Sequence, residues 1–524
     1  MRDEGDLFRR FLSGLTDRIL DILPIVTTIL ILAIYPLLRF VFYKPLLAEI
    51  FRASVISYWI GYLIVNMLLA LKTRREIITN SSIDWHRRLL ERGHSFSHYV
   101  IFMPLKNESN CHVLFQTFLG VQHQAYPQEK VELVPIIEAE DLSTIDRVRE
   151  IIPSFQEKLR IKLFTYPTAG VHTKCKATSV STAGRWLAQR IAAGEFGSDQ
   201  VKVLIIDADT TLHPQDLALR EYCHLMEIDR CQKTGERGSI LQSLTTYTSN
   251  YWKVAMLPRL HNSGFVLYQM GKMQTRGDYL VLGPGTSIPF KIFQEVDYFE
   301  PNRHNEDMQF RYKVVMEGYR VAPLKMPTWG QAPWTTRESW GQIARWARGA
   351  VDFKFVVNYR RKHRQSRLPL TKTKTYQALR ALVANSIPPL MVLLPTQLIL
   401  ISWFSPYYPL FTSGFFVSPD VLALRAALRS GVDALAAFNL RYQAVVLTSS
   451  MLIGMILVPH LLKPVIHQSQ PRRWRRARRS LEWLRLTFTP INLHNYFLMA
   501  FAQLYTQTKL ALGISITHTE ITRK

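Results

Sequence analysis

Apolar positions along the chain fall into two kinds of run. Residues 22–38, 54–71, 381–404 and 442–459 carry no charge, and at about 17–24 residues each they match the length that crosses a hydrocarbon core. A fifth uncharged run, 486–508, is studded with Thr, Asn, Gln and His494; it spans, re-enters or lies at the interface. The aromatic stretch 405–419 is too short to span. The other kind of run is short and β-branched: HYVIFMP (98–104), VELVPII (131–137), LRIKLFT (159–165) and VKVLII (201–206). These predict strands, with helical stretches such as 174–193 between them, spaced at roughly thirty residues. That βαβ rhythm predicts an α/β fold, a doubly wound parallel sheet with helices on both faces. Gly and Pro cluster where strands are expected to end, at Pro104, 283–285 and 327–333.

Charge changes the picture of the long runs. The 524 residues hold 65 Lys+Arg against 40 Asp+Glu, a formal net charge of +25, which suits either nucleic acid or an anionic membrane surface. The excess sits beside the apolar runs: Lys72, Arg74 and Arg75; Arg360, Arg361, Lys362, Arg364 and Arg367; and RRWRRARR at 472–479. A bilayer is therefore the expected partner and nucleic acid is not. By the positive-inside rule these flanks are cytoplasmic, which places 72–376 in the cytosol and the loop near 405–433 outside. The Arg-rich run serves as a topology signal, and it also suits anionic lipid headgroups. No A-x-A-like cleavage site follows the first apolar run, so it reads as a retained anchor.

The expected division is a membrane region over 1–76 with helices at about 22–43 and 54–71, then a cytosolic domain over 77–335. Interfacial helices follow over 336–376, and then a second membrane region over 377–524 with about three to four spanning or re-entrant helices. The chain reads as a multi-pass protein, expected in the plasma membrane with its catalytic domain in the cytoplasm. Its four cysteines, Cys111, Cys175, Cys223 and Cys231, form no C-x-x-C and fall in the expected cytosolic part, so reduced thiols are predicted.

The candidate chemistry starts at Asp207 and Asp209. A buried parallel strand that ends in D-x-D puts both carboxylates at the carboxyl edge of a sheet, where open α/β folds bind ligands. Two hard oxygen donors there suit a Mg²⁺ or Mn²⁺ ion shared with substrate phosphates. A solvated turn after a strand is the plainer alternative. Around this motif stand P-L-K-N-E (104–108), E-A-E-D (138–141), K-C-K-A (174–177), H-N-E-D-M-Q (304–309) and Q-I-A-R-W (342–346). On a helix Gln342, Arg345, Trp346 and Gly349 share one face. Arg345 and Gln342 there suit phosphate oxygens, and Trp346 suits a sugar ring. An amphipathic interfacial helix with Trp334, Trp340 and Trp346 as anchors is the alternative.

The order and spacing of these motifs, over about residues 95–350, resemble the membrane-embedded family 2 glycosyltransferases, which include cellulose, chitin and hyaluronan synthases. The resemblance implies a GT-A-like domain inserted between membrane helices, and a UDP-sugar donor. It makes Asp209, with Asp207, the holder of the metal on the diphosphate. Asp307 matches the catalytic base, with Glu306 orienting the site; a helix N-cap at Asn305 followed by acidic first-turn residues is the structural alternative. Asn107 and Glu108 fall in the nucleoside loop, Glu138 and Asp141 in the acidic base-contacting loop, and Lys176 on the lysine near the diphosphate. Gln342 and Arg345 complete the donor site. Gly285 and Thr286, with Trp346, stand where the acceptor binds. The family pattern is broken in places: E-A-E-D-L-S replaces D-D-G/S, Cys175 and Ser181 replace a glycine and an asparagine, and G-P-G-T-S lacks the usual aromatic and cysteine.

Three functions follow. The first is an inverting, processive transferase that extends a β-linked polysaccharide from a UDP-sugar and passes it across the membrane. The second uses the same chemistry on a lipid acceptor: ceramide, diacylglycerol or a polyprenyl phosphate. The third, a non-enzymatic receptor or transporter with a nucleotide-sensing domain, is disfavoured by Asp207, Asp209, Asp307 and Arg345 all being intact. The absence of a PilZ-like domain after 509 argues against control by a cyclic dinucleotide.

Overall fold

The computed structural model describes residue 23, residues 25–42, and 45–349 apart from Ser109, 168–174, Glu236, 276–282 and 301–305. It also describes Tyr359, 460–465, and positions 504, 505, 508, 509 and 512. The expected spans 381–404 and 442–459, nearly all of 486–508, the stretch 405–419 and the basic run 472–479 lie outside the described residues. The chain forms two compact units. One holds 1–65, 378–460 and 474–519, and the other holds 66–377, 461–473 and 520–524.

In the first unit residues 25–36 are helical and pass into a π-turn at Leu37–Val41. Helix α1 (Pro45–Ser82) is 38 residues long, contains the run 54–71 and contributes to both units. Its exposed positions include Leu47, Ile50, Tyr58, Ile64, Val65 and Leu68. Among the described residues no helix is long and apolar enough to cross a membrane.

The second unit is built on an eight-stranded sheet. Strand β1 (His98–Leu105) lies between β2 (Val131–Glu138) and β5 (Val201–Ile205), parallel to both. All residues of β2 and β5 are buried, as a strand covered by helices on both faces requires. The run 159–165 is broken into β3 (Arg160–Ile161) and β4 (Phe164–Tyr166), each parallel to β2. Beyond β5 come β7 (Thr286–Pro289), β6 (Ser239–Thr246) and the edge strand β8 (Arg320–Trp329), giving the order β3-β2-β1-β5-β7-β6-β8.

The sheet is mixed, which corrects the expectation of a wholly parallel one: β7 runs antiparallel to both β5 and β6. The reason is local. β7 starts at the carboxyl edge, from the turn at 283–285, and runs straight into a short helix at Phe290–Glu295, so no crossover returns the chain to the amino edge. The turn at 283–285 therefore begins a strand where an end was expected, and Pro104 lies inside β1.

Helices α2 (Trp85–Glu91), α3 (Cys111–Gln122), α4 (Leu142–Ile151) and α5 (Lys176–Ala192) precede β5. After it come α6 (Asp216–Thr234), α7 (Met256–Lys272), α8 (Phe290–Glu295), α9 (Glu306–Met316) and α10 (Thr336–Gly349). Asn110 caps α3 by accepting from the His112 and Val113 amides, and Asp141 caps α4 by accepting from Thr144, each satisfying amides with no partner inside the helix.

Candidate active site

The site begins where β5 ends. Ile206 still donates to Phe102 O (3.0 Å), and then the chain turns, with the Asp207 amide donating to Thr210 Oγ1 (2.9 Å) and the Thr210 amide to Asp207 O (3.0 Å). The turn is held to the end of β8 by Thr211, whose amide donates to Trp329 O (2.7 Å) and whose carbonyl accepts from Trp329 N (3.0 Å). This leaves the Asp207 carboxylate partly exposed and buries Asp209, whose Oδ2 accepts the Gln331 amide at 2.9 Å.

Two helix N-termini converge on this turn. Lys176, the first residue of α5, places Nζ 2.9 Å from Asp207 Oδ1. Burial works against its ammonium, but Asp207, Asp307 and Glu306 outweigh it and raise its pKa. Glu306 and Asp307 open α9. Glu306 is buried, and burial pushes its carboxyl up to about 8; the neighbouring Asp307 charge adds to the shift and Lys176 opposes it. Asn305, the alternative cap, and His304 lie outside the described residues.

Tyr247 was not singled out by the sequence. It follows β6, its ring lies against Gly330, and burial and then the Asp207 and Asp209 charges push its phenol up. Its signal was only an aromatic just past a strand end. The loop that carries Gln331 is zipped to the same region. Gly330 N donates to Thr246 O (2.7 Å), Ser249 N donates to Gly330 O (3.0 Å), and the Asn250 side chain accepts from Ala332 N (2.7 Å) while donating to Ala332 O (2.8 Å).

The other predicted residues occupy three neighbourhoods. At the ends of β1 and β2, Lys106 Nζ lies 3.3 Å from the buried Glu138. Asn107, at φ 51°, donates its amide to Asp141 Oδ2 (2.7 Å), and the Glu108 amide donates to Thr144 Oγ1 (3.0 Å). Asp141 also receives Thr144 and Ser143, so its carboxylate ties the β1 loop to the start of α4. Gly285 and Thr286 lie below the edge in a buried network. Thr286 Oγ1 donates to Gln242 Oε1 or Gly283 O, and Gly285 O accepts from Arg220, itself paired with Asp216. At Gly285 φ is +84° and a Cβ would come within 2.0 Å of Ser243 Oγ, so only glycine fits.

Helix α10 carries Gln342, Arg345, Trp346 and Gly349 on its backbone; of these, only the Gln342 side chain is among the described ones. Gln342 is buried and its Oε1 has no hydrogen-bond partner among the described residues. Trp334 and Trp340 are exposed. The helix starts in a reciprocal cap: Glu338 N donates to Thr335 Oγ1 (3.2 Å) and Thr335 N to Glu338 Oε2 (3.2 Å).

Asp207 and Asp209 fit a divalent ion of one kind. Among the described residues no three His, Cys, Asp or Glu side chains converge to hold a metal, so no all-protein cage is built. Two hard carboxylates on one turn are the donor set that Mg²⁺ or Mn²⁺ uses when phosphate oxygens and water complete its octahedron.

Residues 202–417 match the family model described as "Glycosyl transferase family group 2". A probable glycosyltransferase of Bacillus subtilis, YdaM, is 22% identical over 267 residues, 49% of this chain and 57% of that protein; this chain thus matches little more than half the length of that relative. Among solved structures, the mannosyltransferase PcManGT of Pyrobaculum calidifontis in complex with GDP-Man and Mn²⁺ superimposes with a TM-score of 0.42. It is 15% identical, over 72% of this chain and 98% of that one. TarS 1-349 of S. aureus in complex with UDP-GlcNAc gives 0.29 at 13% identity, over 57% and 87%.

Proposed function

We propose that this chain is an inverting glycosyltransferase that takes a sugar from a nucleotide diphosphate, a UDP-sugar in our reading. It adds the sugar to a growing β-linked polysaccharide and passes the polymer through its own membrane helices. The observation that carries the reading is electrostatic. Lys176, 2.9 Å from Asp207, also feels Glu306 and Asp307, and Asp209, one residue beyond Ala208, acts with Asp207, Lys176 and Asp307 on Tyr247, so side chains from three separate elements meet at one sheet edge. Such a cluster of acids around one cation is what a site for a metal-bound diphosphate needs.

The roles follow from position. Asp209 and Asp207 hold Mg²⁺ or Mn²⁺, which when bound neutralises charge on the leaving diphosphate. Lys176 meets a phosphate oxygen as a point charge. Asp307, on the first turn of α9, takes the proton of the acceptor hydroxyl as that oxygen attacks. Its neighbour Glu306, raised towards neutrality, stays protonated at neutral pH and so adds no second negative charge beside the base. Lys106 and Glu138 border the nucleoside end, with Asn107, Glu108 and Asp141 shaping that loop. By the resemblance, Gln342 and Arg345 of the α10 motif are assigned to the donor and Trp346 to the acceptor, and Gly285 and Thr286 support the acceptor side from below. The bilayer is the expected setting: the long uncharged runs flank the domain, basic clusters border them, and α1 exposes large apolar residues.

The test is incubation of membranes carrying the protein with radiolabelled UDP-sugars and Mn²⁺, followed by separation of ethanol-insoluble from lipid-extractable label. We expect ethanol-insoluble polymer that is lost in Asp209→Asn. Label wholly soluble in chloroform–methanol replaces the polymer with a lipid acceptor, and no Mn²⁺-dependent transfer from any nucleotide sugar ends the reading.

A further inference from the structure

We propose that Lys176 is a resident counter-ion that keeps the D-x-D turn closed to a free divalent cation and opens it only to a nucleotide diphosphate. Metal then enters with the donor and not ahead of it. The inference rests on the reading of Asp207 and Asp209 as the metal-holding pair, and its own content is the order of binding.

The geometry is direct. The ammonium sits 2.9 Å from Asp207 Oδ1, with the two side chains only 20% and 24% exposed, so the pair is shielded from the screening that weakens surface ion pairs. On the other acid of the motif, Asp209, one oxygen is engaged by the Gln331 amide. Lys176 also stands in the first turn of a 17-residue helix, where the helix dipole disfavours a cation. Its placement there is sustained by the acids facing it. A bare divalent ion must displace this ammonium and meet its repulsion. A metal-bound diphosphate arrives with anionic oxygens of its own. The flexible lysine stem lets Nζ pass from carboxylate to phosphate without backbone movement, which frees Asp207 for the ion. The helix N-terminus that disfavoured the lysine then favours the phosphate.

Thermodynamic linkage makes this measurable, because metal and diphosphate change each other's affinity by one factor, and removal of the Lys176 charge should reduce that factor. The full chain in detergent is titrated with Mn²⁺, with and without UDP, and free Mn²⁺ is read by electron paramagnetic resonance. Wild type is compared with Lys176→Met, which removes the charge but keeps the stem, and with Lys176→Arg, which keeps the charge. Without UDP, Lys176→Met is expected to bind Mn²⁺ about tenfold more tightly than wild type, within the usual span of site-to-site coupling. Lys176→Arg should stay near wild type. UDP should tighten Mn²⁺ binding in wild type, and in Lys176→Met the gain should be smaller by about the tenfold already released, the part from direct phosphate coordination remaining. Equal Mn²⁺ affinity in wild type and Lys176→Met without UDP, with binding still lost in Asp209→Asn, overturns the counter-ion role and leaves the metal site standing. Absence of Mn²⁺ binding in every sample, UDP or not, overturns both.

Discussion

The two ends of the sheet use the same residue types in opposite ways. At the amino edge, Lys202 at the start of β5 is buried against Glu221 (2.6 Å), whose other oxygen pairs with His94 (2.9 Å) and accepts from Ser97 (2.8 Å). Glu132 on β2 receives Arg190 on both oxygens and Arg160 on one, and Arg190 also reaches Glu195. Burial works against the Glu221 charge, but Lys202, His94 and Ser97 outweigh it and hold its carboxyl below the ordinary range. At the carboxyl edge, the Lys176 ammonium faces three carboxyl groups, Asp207, Asp307 and Glu306, and burial first and the Asp307 charge next drive Glu306 up to about 8. Closed networks serve the fold. Charges left in conflict are poised for an incoming ion and a diphosphate, which complete what the protein leaves unbalanced.

Substitutions at the two ends should therefore separate activity from stability. The largest effect is expected at the carboxyl edge: Asp307→Asn lowers turnover on the order of 10²–10⁴-fold, the usual loss for a general base. UDP affinity and the unfolding midpoint should hardly change. Lost UDP affinity with normal turnover at saturation makes Asp307 a binding group and places the base elsewhere. Next comes the amino edge, where Glu221→Gln strands Lys202 in the interior and costs about 3–5 kcal/mol of stability. Denaturant unfolding reads this directly, and an unchanged midpoint dissolves the contrast between the two ends.

The smallest effect sharpens the comparison at Asp141, a predicted site residue whose bonds look architectural. Burial opposes its charge, but the Asn107 amide and the Thr144 and Ser143 donors outweigh it and lower its pKa. A depressed folded pKa gives stability that is present above the ordinary Asp value of 3.8 and is lost as the pH falls through the folded value. Asp141→Ala should cost about 1 kcal/mol at neutral pH, as other N-cap losses do. The gap to wild type should close in acid well under pH 3.8. A gap that persists there assigns the loss to packing.

What was legible follows from burial and period. β1, β2 and β5 were predicted within a residue or two because strands covered on both faces read as unbroken apolar runs. The helix α5 (Lys176–Ala192) was legible to within two residues from the helical composition of 174–193. β6 was not, since SILQSLTT is buried along its whole length yet five of its eight residues are polar. Gln242, Ser243, Thr245 and Thr246 are accommodated by side-chain hydrogen bonds to the turn at 283–285 and to β8, which no local pattern announces. β8 contains Pro323 and Pro327, which argue against an interior strand; it lies at the sheet edge, where proline is tolerated. The motif acids were found because strand ends are marked in sequence. Tyr247 and the Gln331 amide were missed because what brings them to Asp209 is the pairing of β6 with β8, a contact between distant segments.

The reversed strand has a mechanical consequence. β7 is four residues long and pairs with β6 at two positions, Leu241↔Ser287 and Gln242↔Thr286. The sheet thus consists of two plates, β3-β2-β1-β5 and β6-β8, riveted along a narrow seam. One plate presents the D-x-D turn, and the other presents Tyr247 and the 330–334 loop. Beyond that seam the plates are clamped by the Thr211–Trp329 pair and by one core that takes Leu324 and Met326 of β8 together with residues of β1, β2 and β5, so the Asp209–Gln331 contact is set from both plates at once and a change in either reaches it.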